Sequence, residues 1–441
     1  MSIRKVYIET YGCQMNVADS EIVASVLSEA GYIPTGKIDE AGLILINTCS
    51  IRENAEQRIW RRLKSIGYLK RRNRSIIIGL IGCMAERFKE KIIDRENLVD
   101  IVIGPDAYRQ LPFLLEEAEA GHKGVSVLLS QEETYADISP VRMDNNGVTS
   151  FVSIMRGCNN MCAYCVVPYV RGAERSRDPE SILREIGDLR TLGYREVTLI
   201  GQNVNSWKWT KKGLTVRFPE LLRMAAISDP GLRIRFSTSH PKDLSDELLN
   251  TISEHRNICR HIHLPAQSGS NRILELMNRE YTREWYMDRI SAIRRILPDC
   301  AVSTDMIVGF CTETDEDHKD SLSLMEQAFF DFAYMFRYSE RSGTKAAAKY
   351  TDDVPEEIKT LRLNEVITLQ NRLSSDSKKK DIGKVFEVLI EGFSKKSSEY
   401  LSGRTSQNKV VVFPAEERKK GDYVNVLIER CTSATLLGKM V

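Results

Sequence analysis

No long hydrophobic run occurs in the 441 residues of this chain. The longest, IIIGLIG over residues 76–82, is far below the roughly 18 apolar residues a membrane-spanning helix needs. The opening stretch MSIRKVYIETYGC carries no apolar leader core. A cytoplasmic protein without a membrane partner is expected. Charge of one sign is also lacking: 63 Lys and Arg stand against 61 Asp and Glu, a net +2. Whole-molecule charge therefore names no partner, and any basic binding surface has to be local. Internal repeats and low-complexity segments are absent as well, which argues against a solenoid or a disordered tail.

What is present is length enough for about three domains, each with its own core, and ten cysteines. In a reducing compartment such thiols serve as metal or catalytic groups more readily than as disulfides. Their distribution is the main sequence signal.

Along the chain, β-branched runs alternate with helical patterns from Lys5 to about Leu115: VYI, a helix opened by Asp19 and Ser20, LILI, a helix from about Glu53, IIIGL, and a helix from about Glu86. This alternation predicts a doubly wound α/β domain with a parallel sheet over residues 1–120. Between Glu119 and Val148 the pattern lapses into GHKG, SQEETYADISP and MDNNG, the composition of a linker. Six further runs follow as strands (SFVSIM, EVTLI, RIRFS, HIHLP, VSTDMIV, FAYMFRY), separated by helical stretches. They predict a partial, TIM-like (β/α)6 barrel over residues 145–375, although a flat sheet fits the same count. Pro355 suits the first turn of a connecting helix. Residues 378–441 alternate at period two with Gly-bearing turns, predicting a small antiparallel β-barrel.

Cys158, Cys162 and Cys165 lie in RGCNNMCAYCVVPYVRG, just after the first barrel strand, at the end where parallel barrels place their chemistry. Three ligands are one short of a closed structural zinc site. Three readings are open: zinc with a ligand from elsewhere, inert buried thiols, or a [4Fe–4S] cluster on three thiolates with one iron left free. In the amino-terminal region Cys13 ends VYIETYGC, Cys49 ends LILINTC and Cys83 ends IIIGLIGC, so three strands each deliver one thiol to the carboxyl edge of the sheet, where open α/β sheets bind ligands. A second three-thiolate cluster is the economical reading, against a set of unrelated core cysteines. Cys259, Cys300, Cys311 and Cys431 lack such placement and read as small hydrophobes.

The C-x3-C-x2-C spacing resembles the radical S-adenosylmethionine (SAM) enzymes. That resemblance implies that SAM chelates the free iron and is cleaved by one electron to a 5′-deoxyadenosyl radical, chemistry no side chain performs unaided. It also implies SAM contacts at the strand ends: Gln202 and Asn203 after EVTLIG, Ser237 and Ser239 in FSTSH, Gln267 and Ser268 in HLPAQSGS, and the turn after DMIVGF.

With TYGCQMNVADSE, LINTCSIRENAEQR, GLIGCMAER and SIMRGCNNMCAYCVVPYVRGAERSR taken together, the chain resembles the methylthiotransferases over nearly its whole length. The resemblance implies an auxiliary [4Fe–4S] cluster on Cys13, Cys49 and Cys83, a radical SAM cluster on Cys158, Cys162 and Cys165, and a carboxy-terminal RNA-binding TRAM barrel. GQNVNSW, Gly201 to Trp207, is similar to the subgroup acting on tRNA. The implied reaction is methylthiolation at C2 of N6-isopentenyladenosine at position 37, beside the anticodon, using one SAM as methyl donor and a second as radical source. An electron donor of the flavodoxin or ferredoxin class, a sulfur source and a monomeric enzyme are expected with it. Alternatives are methylthiolation of a ribosomal-protein aspartate or of threonylcarbamoyladenosine in tRNA, and a non-enzymatic RNA-binding module with structural metal sites. One departure stands out: where the family has Gly-Phe-Pro-Gly-Glu-Thr, this chain has GFCTET, Gly309 to Thr314, which keeps Glu313.

For the tRNA anticodon stem-loop, the helix RRLKSIGYLKRRNR (residues 61–74), Lys378 to Lys380, Lys395, Lys396 and Arg404 are candidate phosphate contacts. Arg171, Arg177 and Arg337, near strand ends, are expected to hold the phosphates of a nucleotide flipped out of its stack.

Overall fold

The computed structural model describes residues 4–49, 53–89, 91–92, 98–143 and 146–441, with residues 53–56 as backbone only. The chain divides into two compact units: Met1–Asp144 with Met155–Met161 and Cys165–Ser181, and Asn145–Ile154 with Cys162–Tyr164 and Ile182–Val441.

The first unit is built on six parallel strands: β1 Arg4–Thr10, β2 Tyr32–Pro34, β3 Leu43–Thr48, β4 Ile77–Gly82, β5 Ile101–Ile103 and β6 Gly124–Ser126, in the order β2-β1-β3-β4-β5-β6. β3 and β4 are buried along their whole length, as expected of strands covered on both faces. Helices α1 (Gln14–Glu29) and α4 (Leu111–Glu119) help form the core on one face, and α2 (Glu53–Arg72) and α3 (Cys83–Phe88) that on the other. α2 shows why: Ile59, Leu63, Ile66 and Leu69 recur at helical spacing and are buried, while Arg61, Lys64, Arg71 and Arg72 face water. The expected strands VYI, LILI and IIIGL are all present. β2, β5 and β6, three residues each, are too short to show a period.

The segment expected as a linker belongs instead to this unit. Tyr135 and Ile138 are buried in its core, and the Tyr135 hydroxyl donates to the Pro105 carbonyl (3.0 Å) and accepts from the Tyr108 amide (3.1 Å). One buried aromatic amid turn residues stabilises the fold by roughly 1.5–3 kcal/mol, which ties the segment down despite its loop-like composition.

In the second unit, β7 (Thr149–Ser153), β10 (Glu196–Ile200) and β13 (Arg233–Phe236) pair in parallel, as do β14 (His261–His263), β15 (Ala301–Val308) and β16 (Phe332–Arg337). A parallel bridge between Ile234 and Ile258 joins the two sheets into an open six-stranded barrel. The short antiparallel strands β8 (Met155–Arg156) and β9 (Arg175–Ser176), which flank in sequence the cysteine loop and the helix α5 (Val167–Arg171) after it, belong to the first unit. Alternation sorts the barrel side chains: Val197, Leu199, Ile234, Ile262, Val302 and Ala333 are buried on the outer face, leaving Glu196, Arg235, His263, Ser303 and Asp305 on the inner face.

After β10 the chain makes an unanticipated antiparallel hairpin, β11 (Lys208–Lys211) and β12 (Leu214–Arg217). Its two-residue turn, Lys212-Gly213, has positive φ at both positions (49° and 83°), the conformation that matches strand twist and favours Gly.

The connecting helix (Glu356–Lys379) leads into β17 (Val385–Ser394), β18 (Ser397–Thr405), β19 (Val410–Pro414), β20 (Tyr423–Cys431) and β21 (Leu436–Met440), a closed barrel in the order β17-β18-β19-β21-β20. Its pairing is antiparallel except where β19 and β21 run parallel to close it. The turn after β18 docks on the amino-terminal ends of the larger barrel's strands. Arg233 donates to the Arg404 carbonyl (2.9 Å), Arg235 to the Thr405 carbonyl (3.3 Å), and the Arg260 amide to the Ser406 hydroxyl (2.8 Å).

Candidate cluster and substrate site

Strands β1, β3 and β4 are immediate neighbours, so Cys13, Cys49 and Cys83 follow the carboxyl ends of three adjacent parallel strands. Because β2 lies on the far side of β1, the β1/β3 boundary is the point where the strand order reverses, the place where doubly wound sheets open a crevice for ligands.

The loops are locked by amides. Asn16 Nδ2 donates to Asn47 Oδ1 (2.9 Å) and to the Thr48 carbonyl (3.1 Å), Asn47 Nδ2 donates to the Asn16 carbonyl (2.8 Å), and the Cys13 thiol donates to Asn16 Oδ1 (3.2 Å). Gly82, at φ 90°, has no room for a side chain: a Cβ there would lie 2.4 Å from Asn47 Oδ1. Hydrogen bonding from Cys49 pulls the Cys13 thiol down to about 6 against a desolvation cost, with Arg171 assisting. Burial pushes Cys83 up, and Arg171 opposes it.

Helix α5, which starts two residues after Cys165, packs Val166 and Val170 against Cys83. It also carries Arg171, 3% exposed, whose Nη2 donates to Asp19 Oδ2 at 2.7 Å while its buried Nη1 has no hydrogen-bond partner. Arg171 is thus a buried cation beside the auxiliary thiols, not the RNA contact expected of it. Arg177 is likewise buried, its guanidinium on the Ser181 hydroxyl (2.8 Å) and carbonyl (3.0 Å). Neither reaches a phosphate on a surface.

In the second cysteine set, the Cys158 amide donates to the Gly172 carbonyl (3.1 Å), and a Cβ on Gly157 would sit 2.0 Å from the Ala173 carbonyl oxygen, so the entry to the loop admits only Gly. Cys162 Sγ accepts from Arg279 Nη1 at 3.2 Å. Arg279 is buried, and its other nitrogens donate to the Tyr281 hydroxyl (3.0 Å) and the Pro265 carbonyl (3.1 Å). Sequence reasoning missed Arg279, which has no local signature and lies 117 residues from its partner. It also missed Asp19 as an arginine anchor, although an acid in the helix after Cys13 was visible. Among the described residues no three His, Cys, Asp or Glu side chains close around a single metal ion. A cubane, by contrast, binds each thiolate at a separate iron, and in each set a buried arginine stands against a thiol; this donor chemistry fits an anionic thiolate cluster.

The strand-end polar residues divide. Gln202 Oε1, Gln267 Oε1 and Asn205 Nδ2 are buried without hydrogen-bond partners, and Gln267 holds a strained φ of 70°. Asn203 ties loops together: Nδ2 donates to Asp243 (2.7 Å) and Oδ1 accepts from the His240 amide (3.0 Å), which leaves one N–H and one lone pair of its amide. Ser239 donates to Asn205 Oδ1 (3.0 Å), and Ser268 lies 3.3 Å from the Ser321 hydroxyl. Glu313 Oε1 accepts from the Gly309 amide (2.8 Å) and from Arg362 (3.0 Å), which holds the altered GFCTET turn, and Cys311 lies in the core. Burial pushes the thiols of Cys259 and Cys300 up, in keeping with core cysteines.

Arg337 points the wrong way. Period two places it on the outer face of β16, where it pairs with Glu356 (3.1 Å) and Thr360 (2.9 Å) on the connecting helix. Arg404 pairs with Glu391 (3.2 Å) and Asn408 (3.1 Å). Lys378 is buried.

Residues 152–325 match the Radical SAM superfamily, residues 379–441 the TRAM domain and residues 5–104 the "Uncharacterized protein family UPF0004". Among solved structures, the radical SAM methyltransferase TsrM from Kitasatospora setae, with cobalamin and a [4Fe-4S] cluster bound, shares the fold: TM-score 0.58 at 12% identity, over 79% of this chain and 74% of that one. The cobalamin-dependent SAM radical enzyme OxsB, with aqua-cobalamin and SAM bound, matches at TM-score 0.53 and 14% identity, over 83% and 56%. Fold and cysteine loop thus define a radical SAM protein. At the sequence level, the tRNA-2-methylthio-N(6)-dimethylallyladenosine synthases of Phocaeicola vulgatus and Bacteroides fragilis are each 57% identical over 99% of this chain and 96% of their own length. That of Amoebophilus asiaticus is 56% identical over 99% and 92%. The chain belongs to this methylthiotransferase family of radical SAM enzymes.

Proposed function

We propose that the protein methylthiolates C2 of N6-dimethylallyladenosine at position 37 of tRNA, giving the 2-methylthio derivative. The observation that carries the reading is the pair of three-thiol sets: one on the ends of three adjacent strands, one in the C-x3-C-x2-C loop, each with a buried arginine against a thiol. In this reading Cys158, Cys162 and Cys165 hold the [4Fe–4S] cluster that binds SAM, and Cys13, Cys49 and Cys83 hold the auxiliary one. With both bound, the site supplies one-electron chemistry at an unactivated C–H bond together with sulfur for transfer.

The chain's own residues bind and orient. Gln202, Asn205 and Gln267, with buried polar atoms lacking partners, face SAM, with Ser239 and Ser268 behind them. Arg171 and Arg279 balance thiolate charge, and the hydrophobic outer core holds the strands that present these groups. Arg404, Lys395 and Lys396 on the small barrel contact tRNA phosphates. The three domain boundaries, an electron donor of the flavodoxin or ferredoxin class, a separate sulfur source, a monomeric state and a cytoplasmic setting belong to the same reading. Among the described residues no helix is long and apolar enough to cross a membrane.

The test is direct. The reconstituted, reduced enzyme is incubated with SAM and an anticodon stem-loop carrying N6-dimethylallyladenosine, and nucleosides are resolved by mass. The 2-methylthio nucleoside is expected; a methylthio group found on protein alone overturns the reading.

A further inference from the structure

Inside the larger barrel the inner face mixes polar side chains with apolar ones such as Phe151 of β7 and Ile307 of β15, and its last strand adds two aromatics. β16 pairs with β15 in a register that sets Phe332 opposite Ser303 and Tyr334 opposite Asp305. Both aromatics therefore share the inner face with His263 and Asp305, while Ala333, between them, is buried on the outer face. The Tyr334 ring lies 5.9 Å from the His263 ring, and the Phe332 ring meets Tyr334 at 4.8 Å, nearly perpendicular. These rings are 47% and 49% exposed, on an edge strand that leaves the barrel open at its side. Two large aromatics kept in contact with water beside His263 and Asp305 call for an occupant that is apolar on one side and hydrogen-bonding on the other.

We propose that Phe332 and Tyr334 seat the N6 substituent and ring of the substrate adenine and so select the dimethylallylated base over plain adenine. The inference rests on the function proposed above and deepens it. Two observations converge on this occupant. Tyr334 is level with Asp305, whose carbonyl accepts from the Gln267 amide (2.8 Å), so the stripe runs up to the proposed SAM contacts. His263 Nδ1 lies 2.9 Å from the Ser303 hydroxyl and its Nε2 3.4 Å from Asp305, giving a polar edge opposite the rings. An unpaired base with an apolar branch presents the complementary pattern: a π-face to stack and a hydrocarbon arm to bury.

Apolar contacts of a few carbon atoms discriminate by about tenfold or more. Binding is therefore read on the protein with clusters reconstituted, without turnover, by fluorescence anisotropy of two stem-loops that differ only in the N6 substituent. The native protein is expected to bind the dimethylallyl RNA at least about tenfold tighter. Phe332→Ser with Tyr334→Ser should remove this preference, so that the two RNAs bind alike, and Tyr334→Phe, which keeps the ring, should retain it. Equal binding of both RNAs by the native protein, or a preference that survives the double substitution, overturns the proposal. Failure of the proposed function itself is a different result: tight, selective binding with no methylthio product.

Discussion

Asp19 Oδ2 accepts from Arg171 at 2.7 Å with both side chains fully enclosed, and the same carboxylate accepts from Arg156 through Oδ1 at 2.8 Å. Burial opposes ionisation of Asp19, but the two arginines outweigh it and hold the carboxyl below its usual range. The pair joins the helix that follows Cys13 to the helix that follows Cys165. Asp19→Asn leaves the Arg171 guanidinium buried without its counter-ion and Arg156 with only Asp106 at 3.5 Å, so a loss of about 3–5 kcal/mol is expected in urea unfolding. A change below about 1 kcal/mol would show that the pair is not a structural anchor.

The two cysteine sets should be separable. The reconstituted enzyme is expected to hold about eight irons, and Cys13→Ala or Cys83→Ala to hold about four while still cleaving SAM. Cys162→Ala should also hold about four but produce no 5′-deoxyadenosine. Iron analysis with product detection decides, and a protein that loses both clusters on either substitution contradicts the assignment of separate sites.

Glu86 supplies a pH dependence. Burial lifts its carboxyl from 4.5 to about 7, and its Oε2 lacks a hydrogen-bond partner. The folded chain binds this proton more tightly than the unfolded one, so the contribution to stability is complete below about pH 4.5 and is lost as pH rises through 7. Glu86→Gln should match the native protein near pH 4 and exceed its stability at pH 8 by about 2–3 kcal/mol. Denaturant midpoints across this range are the measurement, and an unchanged difference between the two pH values refutes it.

The hairpin of β11 and β12 springs from the chain just beyond the carboxyl end of β10 and exposes Lys208, Lys211, Lys212 and Arg217 around the half-buried Trp209. Cations flanking an aromatic ring suit a single-stranded RNA backbone. Replacing the three lysines by Ala should weaken anticodon stem-loop binding across sequences and flatten the plot of log affinity against log salt by up to about 3. An unaltered slope removes the hairpin from the RNA interface.

Much of the candidate site was legible because its signals are local. A cysteine that follows a β-branched run sits at a strand end whatever the strand's neighbours are, and the eight-residue loop from Cys158 to Cys165 holds its three thiols together by covalent connection alone. The hairpin could also have been read, from the Lys-Gly turn between alternating strands. The arginines were misread for a physical reason. Nearness in sequence to a strand end says nothing about which face a side chain takes or which acid it meets, and Arg337 turned outward to Glu356 while Arg171 turned inward to Asp19.

By itself, then, the sequence determined the element types, the two cysteine triads and the family, since periodicity, turn chemistry and motif spacing are properties of neighbouring residues. Only the tertiary structure decided that β1, β3 and β4 lie side by side, that Arg279 reaches Cys162 across 117 residues, and that the loop-like segment around Tyr135 is core. Those outcomes depend on which long-range pairings bury apolar surface and satisfy buried charge at the same time, and no short stretch of chain contains both partners of such a contact.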